Sequence, residues 1–206
     1  MLSSITPLGE RGRRNRWSLT AAAYVGASAL AGALGGAAMG AVGWALRHLA
    51  SPPPAVDAGV LAVVGLAAVA TDTWAGRNLP TVHRQVNEDW MQRYRGVVYG
   101  VGYGFQLGLG VVTIVTSATV YAAAALALLV ATPGEAALVG LAFGSARALP
   151  LLAERRIRTP EALRRSQARL HRHGVLARRL AAAGTAAAGL AGVGALLAVA
   201  LSGRGW

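Results

Sequence analysis

From Trp17 to Leu46 the chain carries thirty residues without a charge, and that length decides the class of fold. A helix rises 1.5 Å per residue, so about 20 residues cross the ~30 Å hydrocarbon core of a bilayer. The apolar region of a signal peptide is shorter, about 7–15 residues. The stretch therefore reads as an uncleaved spanning helix behind a basic start containing Arg11, Arg13, Arg14 and Arg16. Four more apolar runs follow. The expectation is an all-α fold, an integral membrane helical bundle with about five transmembrane helices, near 19–46, 56–71, 96–131, 135–152 and 180–201. These form one transmembrane domain over 19–202, with a cytoplasmic basic tail at 1–18 and an external segment at 203–206.

Composition agrees with that class. The chain is 54% hydrophobic over 206 residues, with a mean hydropathy of +0.46. A water-soluble domain of this size needs a more polar surface. The absence of cysteine excludes disulfides, thiolate metal sites and cysteine redox chemistry. All twenty basic residues are arginines, and the formal charge is +12. Such a balance suits nucleic acid in a soluble protein. Between spanning helices it suits orientation and contact with anionic head groups, and no nucleic-acid partner is expected.

The polar segments are organised too. Ser51-Pro52-Pro53-Pro54 ends the first helix, and Asp57 and Asp72 bracket a short second span. Over 78–94, Leu79, Val82, Val86, Trp90 and Tyr94 recur every three to four residues, which predicts an amphipathic helix at the interface. A second one is expected over 159–173. Thr159-Pro160-Glu161 opens it with a cap, a first-turn proline and an acid at the positive dipole end, and Gly174 is expected to break it. Arginines set the topology. Four lie in the tail, four in 72–95 (77, 84, 93, 95) and ten in 147–179, leaving only Arg47 and Arg204 elsewhere. With five spans the three rich segments share one face, and the positive-inside rule makes it cytoplasmic in an inner or plasma membrane.

Gly96 to Thr132 is the most informative stretch, 37 residues without a charge. It is too long for one untilted span and tight for two. Glycines crowd its first half, and Thr113, Thr116, Ser117 and Thr119 crowd the point where a break would fall. A helix unwound there must bury its freed backbone groups or line a wet cavity. Gln106 lies roughly 15 Å into this span. These five polar residues are candidates for a substrate path at a broken helix. The plainer reading is helix-to-helix hydrogen bonds of about 0.6 kcal/mol each. Asp72 and Arg147 form a candidate buried ion pair. Gly32, Gly36, Gly40, Gly100, Gly104, Gly108, Gly140 and Gly144 recur every fourth residue within their helices, a pattern that lets backbones approach closely.

No catalytic motif is present. Gly100-Val101-Gly102-Tyr103-Gly104 starts like a dinucleotide fingerprint but lies in an apolar run rather than after a strand. His171 and His173 sit among arginines, a poor setting for a metal. The expectation is no enzyme, no cofactor and no metal.

Phe105-Gln106-Leu107-Gly108, followed by a Thr/Ser-rich turn and Tyr121, resembles the motif region of the CcdA/DsbD-like transporters of the amino-acid exporter superfamily. The resemblance covers about 20 residues and implies a transporter-like bundle with a broken helix. Val111 to Val120 contains neither the proline nor the cysteine of that motif, so electron transfer does not carry over. Two functions follow. One is a transporter-like bundle handling a small solute. The other is a non-catalytic membrane subunit or scaffold whose basic loops bind a partner protein or anionic lipid. Both admit a homo-oligomer or a membrane-complex partner.

Overall fold

The computed structural model describes residues 5–73, 90–110, 118–130 and 132–202, and every regular element among them is helical. In chain order these are α1 (Pro7–Gly12), α2 (Trp17–Ala50), α3 (Pro54–Thr73), α4 (Trp90–Arg93), α5 (Gly96–Leu109), α6 (Thr119–Leu129), α7 (Pro133–Ala153) and α8 (Pro160–Ser202), with a 3-10 turn at Glu154–Arg156.

Thr-Pro pairs open three of them. Thr6, Thr132 and Thr159 each accept a backbone N–H from three residues ahead, from Gly9, Glu135 and Ala162 at 3.1, 3.2 and 3.2 Å. At α7 the bond is reciprocal, because Glu135 accepts the Thr132 N–H at 3.2 Å and so closes a capping box. α2 stops at Ser51, whose φ of 42° is left-handed, before the three prolines.

Four stretches are long and apolar enough to cross a bilayer: Trp17–Ala50, Pro54–Asp72, Pro133–Arg156 and Ala182–Ser202. The remaining expected span, 96–131, holds two shorter helices. α5 has 14 residues and ends at Gly110, whose φ of 75° is left-handed, while α6 has 11. Their lengths are about 21 and 17 Å, each below the bilayer core. The expected break at Gly174 is corrected: α8 runs unbroken for 43 residues. A glycine inside a helix costs only about 1 kcal/mol, whereas a break orphans several amides and carbonyls. Of the expected 78–94 helix only Trp90–Arg93 is described; 74–89 and 203–206 lie outside the described residues.

Side-chain sizes are inverted relative to a water-soluble protein. Alanines dominate the buried positions, including Ala31, Ala136 and Ala148. Large residues point outward, with Leu30 at 57%, Val63 at 68%, Leu138 at 65% and Leu190 at 64% exposure. Hydrocarbon removes the drive to bury leucine and rewards close packing of small residues, so this inversion is what a bilayer selects.

The chain divides into two compact units. The first comprises Met1–Gly35, Thr81–Ile114 and Gly140–Val175; the second comprises Gly36–Pro80, Val115–Val139 and Leu176–Trp206. α2, α7 and α8 contribute to both.

In the first unit α5 lies against α2 through glycine. A Cβ at Gly100, Gly104 or Gly108 would collide with the backbone carbonyl of Thr20, Tyr24 or Ser28 respectively. α7 crosses the same helix where Gly144 meets Ser28 and Gly32. The Ser28 hydroxyl donates to the Gly144 carbonyl at 2.8 Å, the only polar side chain spent at that crossing among the described residues. In the second unit Gly65 and Gly189 bring α3 and α8 together, a Cβ at Gly65 standing 2.6 Å from the Gly189 Cα. Gly40 meets Ala136, and Gly43 meets the Leu128 carbonyl. Gly36 is buried in α2.

Candidate functional site

Two of the five expected path residues are described. Gln106 is half-buried on α5 and Thr119 half-buried at the first turn of α6, while Thr113, Thr116 and Ser117 lie outside the described residues. Beside the left-handed end of α5, a Cβ at Gly110 would stand 3.1 Å from Phe143 and 3.4 Å from the Arg147 guanidinium. That guanidinium lies 5.4 Å from the Phe143 ring centroid. Asp72 belongs to the second unit and Arg147 to the first. Each has contacts within its own unit.

Asp72 stands at the end of α3 and accepts the Ala118 N–H at 2.7 Å, one residue before α6 begins. At the other end of α6, the Arg47 guanidinium donates to the Leu129 carbonyl at 3.2 Å and also to the Val130 carbonyl. Asp57 stands 3.7 Å from the same guanidinium. An acid therefore faces the positive end of the α6 dipole and a cation the negative end. Side chains from α2 and α3 thus supply partners for the exposed backbone groups of a helix too short to span.

A second polar assembly lies in the first unit, and sequence reasoning missed it. The segment 5–16, expected as part of a tail, is folded. Ile5, Thr6 and Glu10 are 2%, 1% and 0% exposed. One Glu10 carboxylate oxygen accepts from Arg13 at 2.7 Å and from the Tyr99 hydroxyl; the other accepts from Thr20 at 3.0 Å. The buried acid thereby ties α1 to the starts of α2 and α5. Burial opposes the charge on Arg13, yet its hydrogen bond to Glu10 and the nearby negative charge outweigh that, and its pKa is raised overall. The readable signal was Thr6-Pro7, the same helix-opening pair that occurs at Thr132 and Thr159.

This assembly is part of a platform. The Leu8 N–H donates to the Ile157 carbonyl at 3.1 Å, joining α1 to the 3-10 turn. Glu154, 2% exposed, accepts the Ser166 hydroxyl at 3.0 Å. Both buried acids are thus consumed internally, while Arg11, Arg14, Arg16, Arg93, Arg95, Arg155, Arg156, Arg158, Arg164, Arg165 and Arg169 are exposed. Two clefts open on the platform. One, of about 360 Å³, is lined by Arg13, Asn15, Met91, Arg93, Tyr94 and Arg95. The other, of about 170 Å³, includes Arg156, Arg165, Ser166 and Arg169. Trp90 stacks on Tyr103 at 6.0 Å between centroids and meets Tyr94 edge-on at 6.2 Å. Its ring is therefore docked on α5.

Chemically, the platform offers many donors and a large excess of positive charge, with Glu161 as an exposed acid among its arginines. Among the described residues no group of three His, Cys, Asp or Glu side chains is placed to hold a metal ion. Comparison with known proteins finds no matching family model, no matching curated protein and no matching solved structure.

Proposed function

We propose that the chain is a non-catalytic scaffold of the inner or plasma membrane whose arginine platform engages anionic lipid on the cytoplasmic side. One observation carries this reading: the buried acids of the platform, Glu10 and Glu154, are spent on internal partners, while eleven of its arginines stand exposed. Fifteen of the twenty arginines belong to the first unit; the second holds five, at 47, 77, 178, 179 and 204. Each basic residue near an anionic leaflet contributes about 1 kcal/mol of attraction, which falls off within a Debye length. The positive-inside rule supports a cytoplasmic placement of this platform. The test compares thermal stability in nanodiscs of phosphatidylglycerol and of phosphatidylcholine across a salt series. The reading requires stabilisation by phosphatidylglycerol that fades with salt, and equal stability in the two lipids would end it. Orientation is read separately by single-cysteine labelling, which should find positions 5, 85 and 165 on one side and 52, 133 and 205 on the other.

A second reading, a transporter-like bundle handling a small solute, is favoured by the end of α5 at Gly110 and by the clasped α6. Half-helices with satisfied ends support a broken-helix path, the arrangement that the local resemblance to amino-acid exporters also implies. Because the chain has no cysteine, Gln106→Cys gives a clean probe. Reaction with a membrane-impermeant thiol reagent in sealed vesicles would support a hydrated path, and complete protection would remove it.

A further inference from the structure

We infer that the cleft between the 13–15 turn and the α4–α5 junction is a specific site for one phosphate group, carried by an anionic lipid head group or by free phosphate. This inference rests on the platform reading above and sharpens it from a diffuse surface to a single pocket. Arg13, Arg93 and Arg95 converge on the cleft from two parts of the chain, and Asn15 and Tyr94 add an amide and a hydroxyl. Its volume of about 360 Å³ falls within the range of about 300–1,000 Å³ usual for ligand sites.

The lining is asymmetric in a way that selects an anion. The neighbouring acid, Glu10, is fully buried and accepts from Tyr99, Thr20 and Arg13. It orients Arg13 while presenting no carboxylate surface to the cleft. Arg13 is held further by the Tyr99 face, 5.7 Å from the ring centroid, so less side-chain freedom is lost when it meets a ligand. The left-handed Arg14, at φ 58°, turns the chain between Arg13 and Asn15, and the Asn15 N–H bonds back to the Glu10 carbonyl at 2.9 Å. Guanidinium groups bind phosphate oxygens in a two-toothed fork, and three of them around one cavity suit a group with several equivalent oxygens. Met91 supplies an apolar wall, and the Trp90–Tyr94 edge stands alongside, a setting suited to the glycerol end of a lipid.

The other cleft has three arginines as well, but its cavity has about half the volume. The experiment uses the full chain in neutral detergent. Native mass spectrometry counts retained dioleoylphosphatidylglycerol against dioleoylphosphatidylcholine, and calorimetry measures inorganic phosphate. The variants are Arg93→Gln/Arg95→Gln and, as a charge-matched control, Arg178→Gln/Arg179→Gln, which belong to the second unit, whereas the residues lining both clefts belong to the first. Arg95 makes no side-chain bond at the start of α5 and both residues are exposed, so the fold does not depend on them.

The inference expects one phosphatidylglycerol retained per chain, at least tenfold weaker in the Arg93/Arg95 variant and within twofold of the parent in the control. Displacement of that lipid by millimolar phosphate assigns the site to the phosphate group itself. Retention without displacement assigns it to the lipid head group. Equal binding by parent and Arg93/Arg95 variant would overturn the site, and so would binding of neither lipid nor phosphate. The nanodisc comparison reads the platform independently: salt-sensitive stabilisation by phosphatidylglycerol that survives in the variant leaves the platform standing while the pocket falls.

Discussion

α5 and α6 come from the same uncharged run and are fixed by opposite means. α5 carries glycines on the face toward α2, and its grip on α2 is backbone against backbone; Arg95 gives it no side-chain cap, and Tyr99 near its start donates to Glu10. α6 contains no glycine; it is alanine, leucine and valine with one threonine and one tyrosine, and charged side chains hold both its ends. A helix interrupted within hydrocarbon thus has two remedies. It can pack so closely that dispersion does the holding, or it can borrow caps from its neighbours. The first is specified locally, by residues at every fourth position. The second depends on residues far away in sequence.

The sharpest way to break the comparison is at the start of α5. Glu10→Ala leaves the buried Tyr99 and Thr20 hydroxyls and Arg13 without their shared acceptor, an expected loss of about 3 kcal/mol. Thermal unfolding in a fixed detergent should show it, with Glu10→Gln recovering part of the loss; an unchanged midpoint for Glu10→Ala would mean that the network carries no stability.

Next comes the glycine face. Gly104→Leu should cost about 2–3 kcal/mol, since the obstacle is the Tyr24 backbone rather than a movable side chain. Gly59→Ala meets nothing within 4 Å and should instead stabilise by about 0.5–1 kcal/mol. If both substitutions move stability in the same direction, close approach is not what holds α5.

The caps of α6 come third. Asp72→Ala or Arg47→Leu should each cost about 1–2 kcal/mol. The loss should be concentrated in α6, seen as faster amide exchange over 119–129 with α5 unaffected. Uniform exchange across both helices would erase the distinction drawn between them. Smallest is Ser28→Ala, which removes the neutral bond to Gly144 at a cost of about 0.6 kcal/mol. A loss above 2 kcal/mol would show that this crossing is held by the hydroxyl rather than by its glycines.

How legible this was in the sequence follows the same divide. The long helices were readable because an uncharged length is a local property, and Thr159 marked a helix start by residue type alone. Gly174 misled because a helix interior tolerates one glycine when breaking would orphan several backbone groups. Thr6-Pro7 went unread because the arginines after it suggested a solvated tail, and nothing nearby announces that Tyr99, 89 residues on, donates to Glu10. The α6 caps were equally hidden, since Asp72 is 46 residues and Arg47 more than 80 residues from the groups they satisfy. Of the residues proposed for a path, Gln106 and Thr119 are described and half-buried, and Thr113, Thr116 and Ser117 lie outside the described residues.

The clasp on α6 also bears on the order in which the chain is made. Arg47 and Asp72 both precede α6, so each cap has already left the ribosome before the helix that needs it. The same holds for the first unit, where the carbonyls of Thr20, Tyr24 and Ser28 precede the glycines that pack on them. Eleven apolar residues are too few to remain in a bilayer alone. They enter one in which their partners are waiting, and biogenesis from the N-terminal side spares α6 a period with open ends in hydrocarbon.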